Sequence, residues 1–177
     1  ALINEIAAVH LGKKTFLQNK DAVEPDSNDT KSTTTNTPAI TPHKYNKIHV
    51  LLAEDNIVNQ KVAVRMLEKA GAQVDLAQNG KEALKLIEAK VYHIIFMDCQ
   101  MPEMDGFDAT RAIRVFEQSN DRIRTPIIAL TANAQEGDRE ECLAAGMTDF
   151  LPKPLKQDAL HILLKKYQPS NWVDNAG

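Results

Sequence analysis

The chain has 177 residues, 43% of them hydrophobic, which suits one core-bearing domain plus extra material rather than two full domains. Its 21 basic side chains are scattered among 24 acidic ones for a net charge of −3, which argues against a phosphate-backbone-binding surface and so against nucleic acid as a direct partner. No apolar run reaches the roughly 18 residues of a membrane span, and the two cysteines, Cys99 and Cys142, lack the paired Cys or His of a zinc site or a disulfide framework.

The chain starts at Ala1 without a Met or a basic-plus-apolar leader, so it is expected to be a fragment of a longer protein whose targeting lies elsewhere. In residues 1–19, Leu2, Ile3, Ile6, Val9 and Leu11 recur near helical spacing, predicting a short amphipathic helix over residues 1–17. Such a helix is marginal alone; it reads either as a frayed tail or as the last helix of a preceding domain. His10 on it is read as a surface histidine. Residues 20–46 are dominated by Ser, Thr, Asn, Asp and Pro, with Ile40 the one isoleucine, and are expected to form a disordered linker.

From residue 47 to 168, apolar strand-length runs alternate with helical patterns. The runs are 48–53, 73–77, 93–97, 126–130 and 148–151, spaced for crossover helices. The first, third and fourth are almost wholly apolar, as parallel strands covered on both faces are, whereas Gln73-Val74-Asp75-Leu76-Ala77 alternates and belongs at an edge. Gly71 and Gly146 follow helical segments, and Asn79 precedes a helix over 81–90. The pattern predicts an α/β fold, flavodoxin-like and doubly wound, with five parallel strands in order 2-1-3-4-5 and helices on both faces. After a fifth helix over 159–167, residues 169–177 are a tail too short for an effector domain.

Each strand hands a polar residue to the same edge of such a sheet. Glu54 and Asp55 follow the first, Asp98 ends the third, Thr131 follows the fourth and Lys153 the fifth. Two carboxylates about 4 Å apart repel by about 4 kcal/mol at an effective dielectric of 20. Glu54, Asp55 and Asp98 therefore call for a cation, and an all-oxygen ligand set completed by water suits Mg²⁺ or Mn²⁺ better than zinc. The bland reading, acids capping the following helices, accounts for Asp55 but not for Asp98 with Lys153. On helix one, Val62, Ala63, Met66 and Ala70 are read as the buried stripe, which leaves Ile57 and Val64 toward solvent, a candidate docking patch together with Leu155.

Glu54-Asp55, Met97-Asp98, Met101-Pro102-Glu103-Met104-Asp105-Gly106, Leu130-Thr131-Ala132 and Phe150-Leu151-Pro152-Lys153-Pro154 together resemble a response-regulator receiver domain. Glu54-Asp55-Asn56 and Ala145-Gly146-Met147-Thr148-Asp149 look most like receivers at the C-terminus of hybrid sensor histidine kinases. The resemblance implies a two-component phosphorelay in which Asp98 takes a phosphoryl group from a phosphohistidine in a Mg-dependent reaction and forms an acyl phosphate. It implies Asp55, Asp98 and the Gln100 main-chain carbonyl as metal ligands, with Glu54 contributing directly or through water. It implies Lys153 and Thr131 as partners of the phosphoryl oxygens, and a cis Lys153-Pro154 bond. Thr131 and Phe150 would form the conformational switch, and Gln100 and Asn133 would tune hydrolysis. The partner would be a histidine-phosphorylated kinase or phosphotransfer domain docking on Ile57, Val64 and Leu155, in the cytoplasm, without direct membrane contact; the parent chain is open to membrane anchoring.

Residues 1–177 show no Gly-rich ATP lid and no phosphodonor-histidine box, so the domain is expected to catalyse only its own phosphorylation and dephosphorylation. The competing readings are an inactive receiver-like interaction domain and a flavin-binding module of the same architecture. Glu54 and Asp55 would repel a flavin phosphate after strand one. An aspartate phosphatase shares the chemistry, but Gln100 stands where its second catalytic acid belongs. Cys99 is read as packing and Cys142 as a small residue on helix four.

Overall fold

Strands and helices alternate strictly along the chain: β1 (Ile48–Ala53), α1 (Ile57–Lys69), β2 (Ala72–Ala77), α2 (Gly80–Ala89), β3 (Ile94–Asp98), α3 (Gly106–Ser119), β4 (Ile127–Thr131), α4 (Glu136–Ala145), β5 (Asp149–Pro152) and α5 (Gln157–Tyr167). The computed structural model describes residues 47–132 and 136–170. The predicted helix of 1–17, the linker of 20–46, Asn133 and nearly all of the tail lie outside the described residues. The five strands are all parallel in the order β2-β1-β3-β4-β5, as the sequence pattern predicts. Among the described residues no helix is long and apolar enough to cross a membrane.

The all-apolar composition of β1, β3 and β4 follows from burial on both faces. Val50, Leu52, Phe96 and Ile128 face one layer, against Ala63 and Leu67 of α1 and Leu160, Leu163 and Leu164 of α5. Leu51, Ile95, Met97 and Ile127 face the other, against Ala83 and Ile87 of α2 and Ala109 and Ile113 of α3. Each such large side chain contributes about 1.5–3 kcal/mol when fully buried. At the edge, β2 leaves Leu76 43% exposed, and Asp75 accepts from Tyr92 Oη and Lys90 Nζ at 2.8 Å each.

The starts of α1, α2 and α3 are fixed by side chains. Asn56 Oδ1 accepts from the N–H of Val58 and Asn59, Asn79 Oδ1 from Glu82 N, and Asp105 Oδ1 from Asp108 N, each satisfying donors that the first turn leaves free. Gly146, at φ +100°, ends α4 in the left-handed region that disfavours a Cβ.

The stripe read for α1 is corrected by the structure. Ala63, Leu67 and Ala70 are its buried positions, Val62 is 45% exposed, and Val64 is partly buried against the core. Leu67, omitted from the sequence reading, rotates the centre of the stripe away from Val62. Val64 therefore packs rather than projecting to solvent, and Leu155 is likewise half-buried against the same cluster. Ile57, 64% exposed, stands as read.

Gly106 sits where the α3 N-terminus crosses the end of β3: its N–H donates to Cys99 O at 3.1 Å, and a Cβ there would collide with the Asp98 carbonyl oxygen. Gly106→Ala is expected to destabilise the domain by about 1–3 kcal/mol, lowering Tm by roughly 3–10 °C. Gly137→Ala on α4, where a Cβ meets no atom within 4 Å, is the control, expected to leave Tm unchanged or slightly raised. Equal Tm values for the two variants, by thermal denaturation, would refute the contact.

Candidate functional site

Parallel pairing brings the C-terminal ends of β1, β3, β4 and β5 to one edge, and the residues that follow them meet there around a cavity of about 300 Å³. Glu54, Asp55, Asp98, Gln100, Thr131 and Lys153 all line it. One carboxylate oxygen from each of Glu54, Asp55 and Asp98 lies within 4.8 Å of the others. Asp55 is exposed, whereas Glu54 and Asp98 are 2% and 6% exposed.

Lys153 reaches this cluster from the far side. Its Nζ lies 2.7 Å from Glu54 Oε2 and 2.6 Å from Asp98 Oδ2. Its position is set by the backbone: Lys153 N–H donates to Thr131 O at 2.7 Å, and the Lys153-Pro154 peptide is cis, as the resemblance implies. Gln100 N–H donates to Asp98 Oδ1 at 3.2 Å. Glu54 is held by a set of donors that sequence reasoning missed. Asn59 Nδ2 and Asn56 N–H donate to its Oε1 at 2.9 and 3.3 Å, and Gln60 Nε2 to its carbonyl at 2.6 Å. The side-chain amides at positions 59 and 60, in the first turn of the helix after the acid, were the available signal.

Burial pushes the Asp98 carboxyl above its ordinary range, and the Lys153 and Gln100 contacts offset this only in part. Burial pulls Lys153 down, but Asp98 and Glu54 together outweigh it and hold the ammonium above its usual value. Lys153 thus stays charged without neutralising its surroundings. Glu54, Asp55 and Asp98 together with this one ammonium carry a net charge of −2, before the other acids of the cavity are counted, and this oxygen-only donor set fits a divalent cation of the Mg²⁺ type.

The remaining predicted residues are spread more widely. Thr131 ends β4, 8% exposed, and Phe150 on β5 carries the Arg139 guanidinium 5.6 Å from its ring centroid. Of the docking set, Ile57 is exposed beside the cavity-lining Asn56, joined by Val58 at 68% exposure, which the sequence reading passed over; Val64 and Leu155 are packed inward. Cys99 and Cys142 are buried free thiols, as expected, yet their sulfurs lie 4.0 Å apart on the cavity wall, a meeting that their separation in sequence does not reveal. Asp138 and Glu141 of α4 also line the cavity and were not singled out.

Known proteins share this arrangement. The family model described as "Response regulator receiver domain" matches residues 50–165. Hybrid signal transduction histidine kinase B of Dictyostelium discoideum is 47% identical over 128 residues, covering 67% of this chain and 6% of that protein. Probable histidine kinase 1 of Oryza sativa subsp. indica is 40% identical over 152 residues, covering 70% of this chain and 16% of that protein. The chain thus spans a small share of these relatives' lengths. Among solved structures, the magnesium-bound receiver domain of sensor histidine kinase PA1611 from Pseudomonas aeruginosa is 47% identical with a TM-score of 0.62, over 68% of this chain and 97% of that one. A complex of the Saccharomyces cerevisiae phosphotransfer protein Ypd1 with the receiver domain of Ssk1 matches at 35% identity and a TM-score of 0.66, over 68% of this chain and 88% of the matched one. With its strand order, its paired acids and its cis Lys153-Pro154 bond, this chain belongs to the response-regulator receiver domains of two-component phosphorelay signalling.

Proposed function

We propose that this receiver takes a phosphoryl group from a phosphohistidine onto the Asp98 carboxylate. The observation that carries the reading is Asp98 itself: a buried carboxylate at the end of a central strand, bonded at 2.6 Å to a lysine that also holds Glu54. In the transfer an Asp98 oxygen attacks phosphorus in line, the phosphorus–nitrogen bond to the imidazole breaks, and the electron pair leaves with the imidazole. Asp55, Asp98 and the Gln100 main-chain carbonyl would hold Mg²⁺ or Mn²⁺, with Glu54 binding directly or through water, and the ion supplies positive charge where the transferring group is most anionic.

Lys153 supplies the second positive charge. Its ammonium, already at the Asp98 carboxylate, bonds a phosphoryl oxygen as the acyl phosphate forms. The Thr131 hydroxyl turns to donate to another phosphoryl oxygen, and Phe150 rotates into the space vacated, repacking α4, β5 and α5. Gln100 and Asn133 set how readily water reaches phosphorus. The donor is a histidine-phosphorylated kinase or phosphotransfer domain that seats on Ile57 and its exposed neighbour Val58. The pairing of the Ssk1 receiver with Ypd1 and the hybrid kinases among the relatives support this partner class and a hybrid-kinase parent. Residues 47–168 form the receiver, with 20–46 as linker, 1–19 as the end of a preceding domain and 169–177 as tail. The domain works in the cytoplasm without contacting membrane or nucleic acid, and any membrane anchor belongs to the parent.

Intact-mass analysis after incubation with a phosphorylated phosphotransfer protein is expected to show one phosphoryl adduct, dependent on Mg²⁺ and absent from Asp98→Asn. An adduct of equal yield on that variant would overturn the assignment. Because the ionised form of Asp98 is the disfavoured one, its contribution to metal-free stability is full below the ordinary carboxylate range. It is lost as pH rises through the raised native value. Asp98→Asn should therefore raise metal-free Tm at neutral pH, by on the order of 1 kcal/mol of stability, and abolish the rise in Tm that Mg²⁺ gives the unsubstituted chain.

Lys153→Met leaves Glu54 and Asp98 buried with no ammonium between them. Metal-free stability is expected to fall by about 3 kcal/mol, with Mg²⁺ recovering most of it while the adduct is lost. A Tm unchanged from that of the unsubstituted protein in the absence of metal would contradict the bridging role.

A further inference from the structure

α4 carries four acids, Glu136, Asp138, Glu140 and Glu141. Asp138, Glu141 and Cys142 stand at i, i+3 and i+4 and so share one face, and all three line the cavity. Cys142 Sγ lies 4.0 Å from Cys99 Sγ, and Cys99 follows Asp98 directly. The α4 acids therefore line the same cavity as the phosphoacceptor. Asp138 is half-buried, and its Oδ2 is buried with no hydrogen-bond partner. Burial foremost, and then the charges of Asp138 and Glu141, push the Cys142 thiol up, so the negative field of both acids is felt at the cavity wall.

We propose that Asp138 and Glu141 are specificity determinants of the phosphoryl-transfer pocket: they exclude free anionic phosphodonors and reserve Asp98 for a phosphohistidine carried by a docked protein. The inference rests on the acceptor reading of Asp98. Five carboxylates and one lysine line the cavity, so even with a divalent cation bound it repels an incoming dianion. A cavity of this volume is roughly 8 Å across, about one Debye length at physiological salt, so screening weakens that repulsion without erasing it.

The two donor classes meet the repulsion differently. For a free acyl phosphate or phosphoramidate the repulsion lowers occupancy of the pocket, and its full effect falls on kcat/KM. For a phosphohistidine on a docked protein, contacts outside the pocket hold the phosphoryl group in place. Repulsion common to the bound state and the transition state then cancels from kcat at saturation. In either case a phosphorus–oxygen bond to Asp98 forms; the bond broken is phosphorus–oxygen with the carboxylate leaving for an acyl phosphate, phosphorus–nitrogen with ammonia leaving for phosphoramidate, and phosphorus–nitrogen with the imidazole leaving for a phosphohistidine.

The test is the double variant Asp138→Asn/Glu141→Gln at saturating Mg²⁺. Its kcat/KM with acetyl phosphate and with phosphoramidate should rise about tenfold at low salt and converge on that of the unsubstituted chain near 1 M salt. Its kcat with a saturating phosphorylated phosphotransfer protein should stay within twofold. Glu140→Gln, which removes a charge from α4 away from the cavity, should change neither. Calorimetric titration gives an independent readout, because the double variant should bind Mg²⁺ several-fold more weakly. Free-donor rates within twofold of the unsubstituted chain, an equal gain with the protein donor, or an equal gain in Glu140→Gln would each overturn the proposal. If the unsubstituted chain accepted phosphate from neither donor class, the acceptor reading itself would fall, and this inference with it.

Discussion

The Lys153 ammonium between Glu54 and Asp98 is the contact on which the site depends. Two buried carboxylates side by side would each face a desolvation cost and mutual repulsion. One ammonium shared at 2.6–2.7 Å makes their burial tolerable without cancelling their charge. The residual negative charge is what suits the edge to a divalent cation. The arrangement is held by strands whose ends cannot separate without unpacking both core layers.

The scaffold enforces this arrangement through ordinary packing. β1, β3 and β4 are buried on both faces, so their register is fixed by apolar side chains throughout their length. That register carries Asp98 opposite Leu130 and places Thr131 and Pro152 side by side. Side chains at the C-terminal ends inherit this positional precision, while the following loops remain free to vary in chemistry. Gly106 belongs to the same economy of space, since α3 starts against the Asp98 carbonyl and leaves no room for a side chain.

The polar surroundings of the site divide by function. Asn56, Asn59 and Gln60 orient Glu54 from α1. Asp138 and Glu141 line the cavity from α4 and add negative charge to it. The first group governs geometry and the second the electrostatic potential, and the two come from helices on opposite faces of the sheet.

The sequence alone determined the strand order and the Asn79 cap of α2, and it put Glu54, Asp55 and Asp98 at strand ends, because each leaves a local signature. Doubly buried strands are continuously apolar, a capping Asn precedes its helix, and the clustered acids end or follow strands. β1 was legible to the residue, and the other strands to within one residue at either end. Only the tertiary structure decided which face of α1 packs inward, because Val62 and Val64 flank the stripe symmetrically and Leu67 alone tips the balance. It also decided that Cys99 meets Cys142, that Asn59 serves Glu54 and that α4 directs two acids at the cavity. These are contacts between segments distant in sequence or between side chains on a helix surface. A one-dimensional pattern records which residues are apolar and where turns fall, whereas a polar contact across the sheet depends on the packing angle of two elements that no local signal encodes.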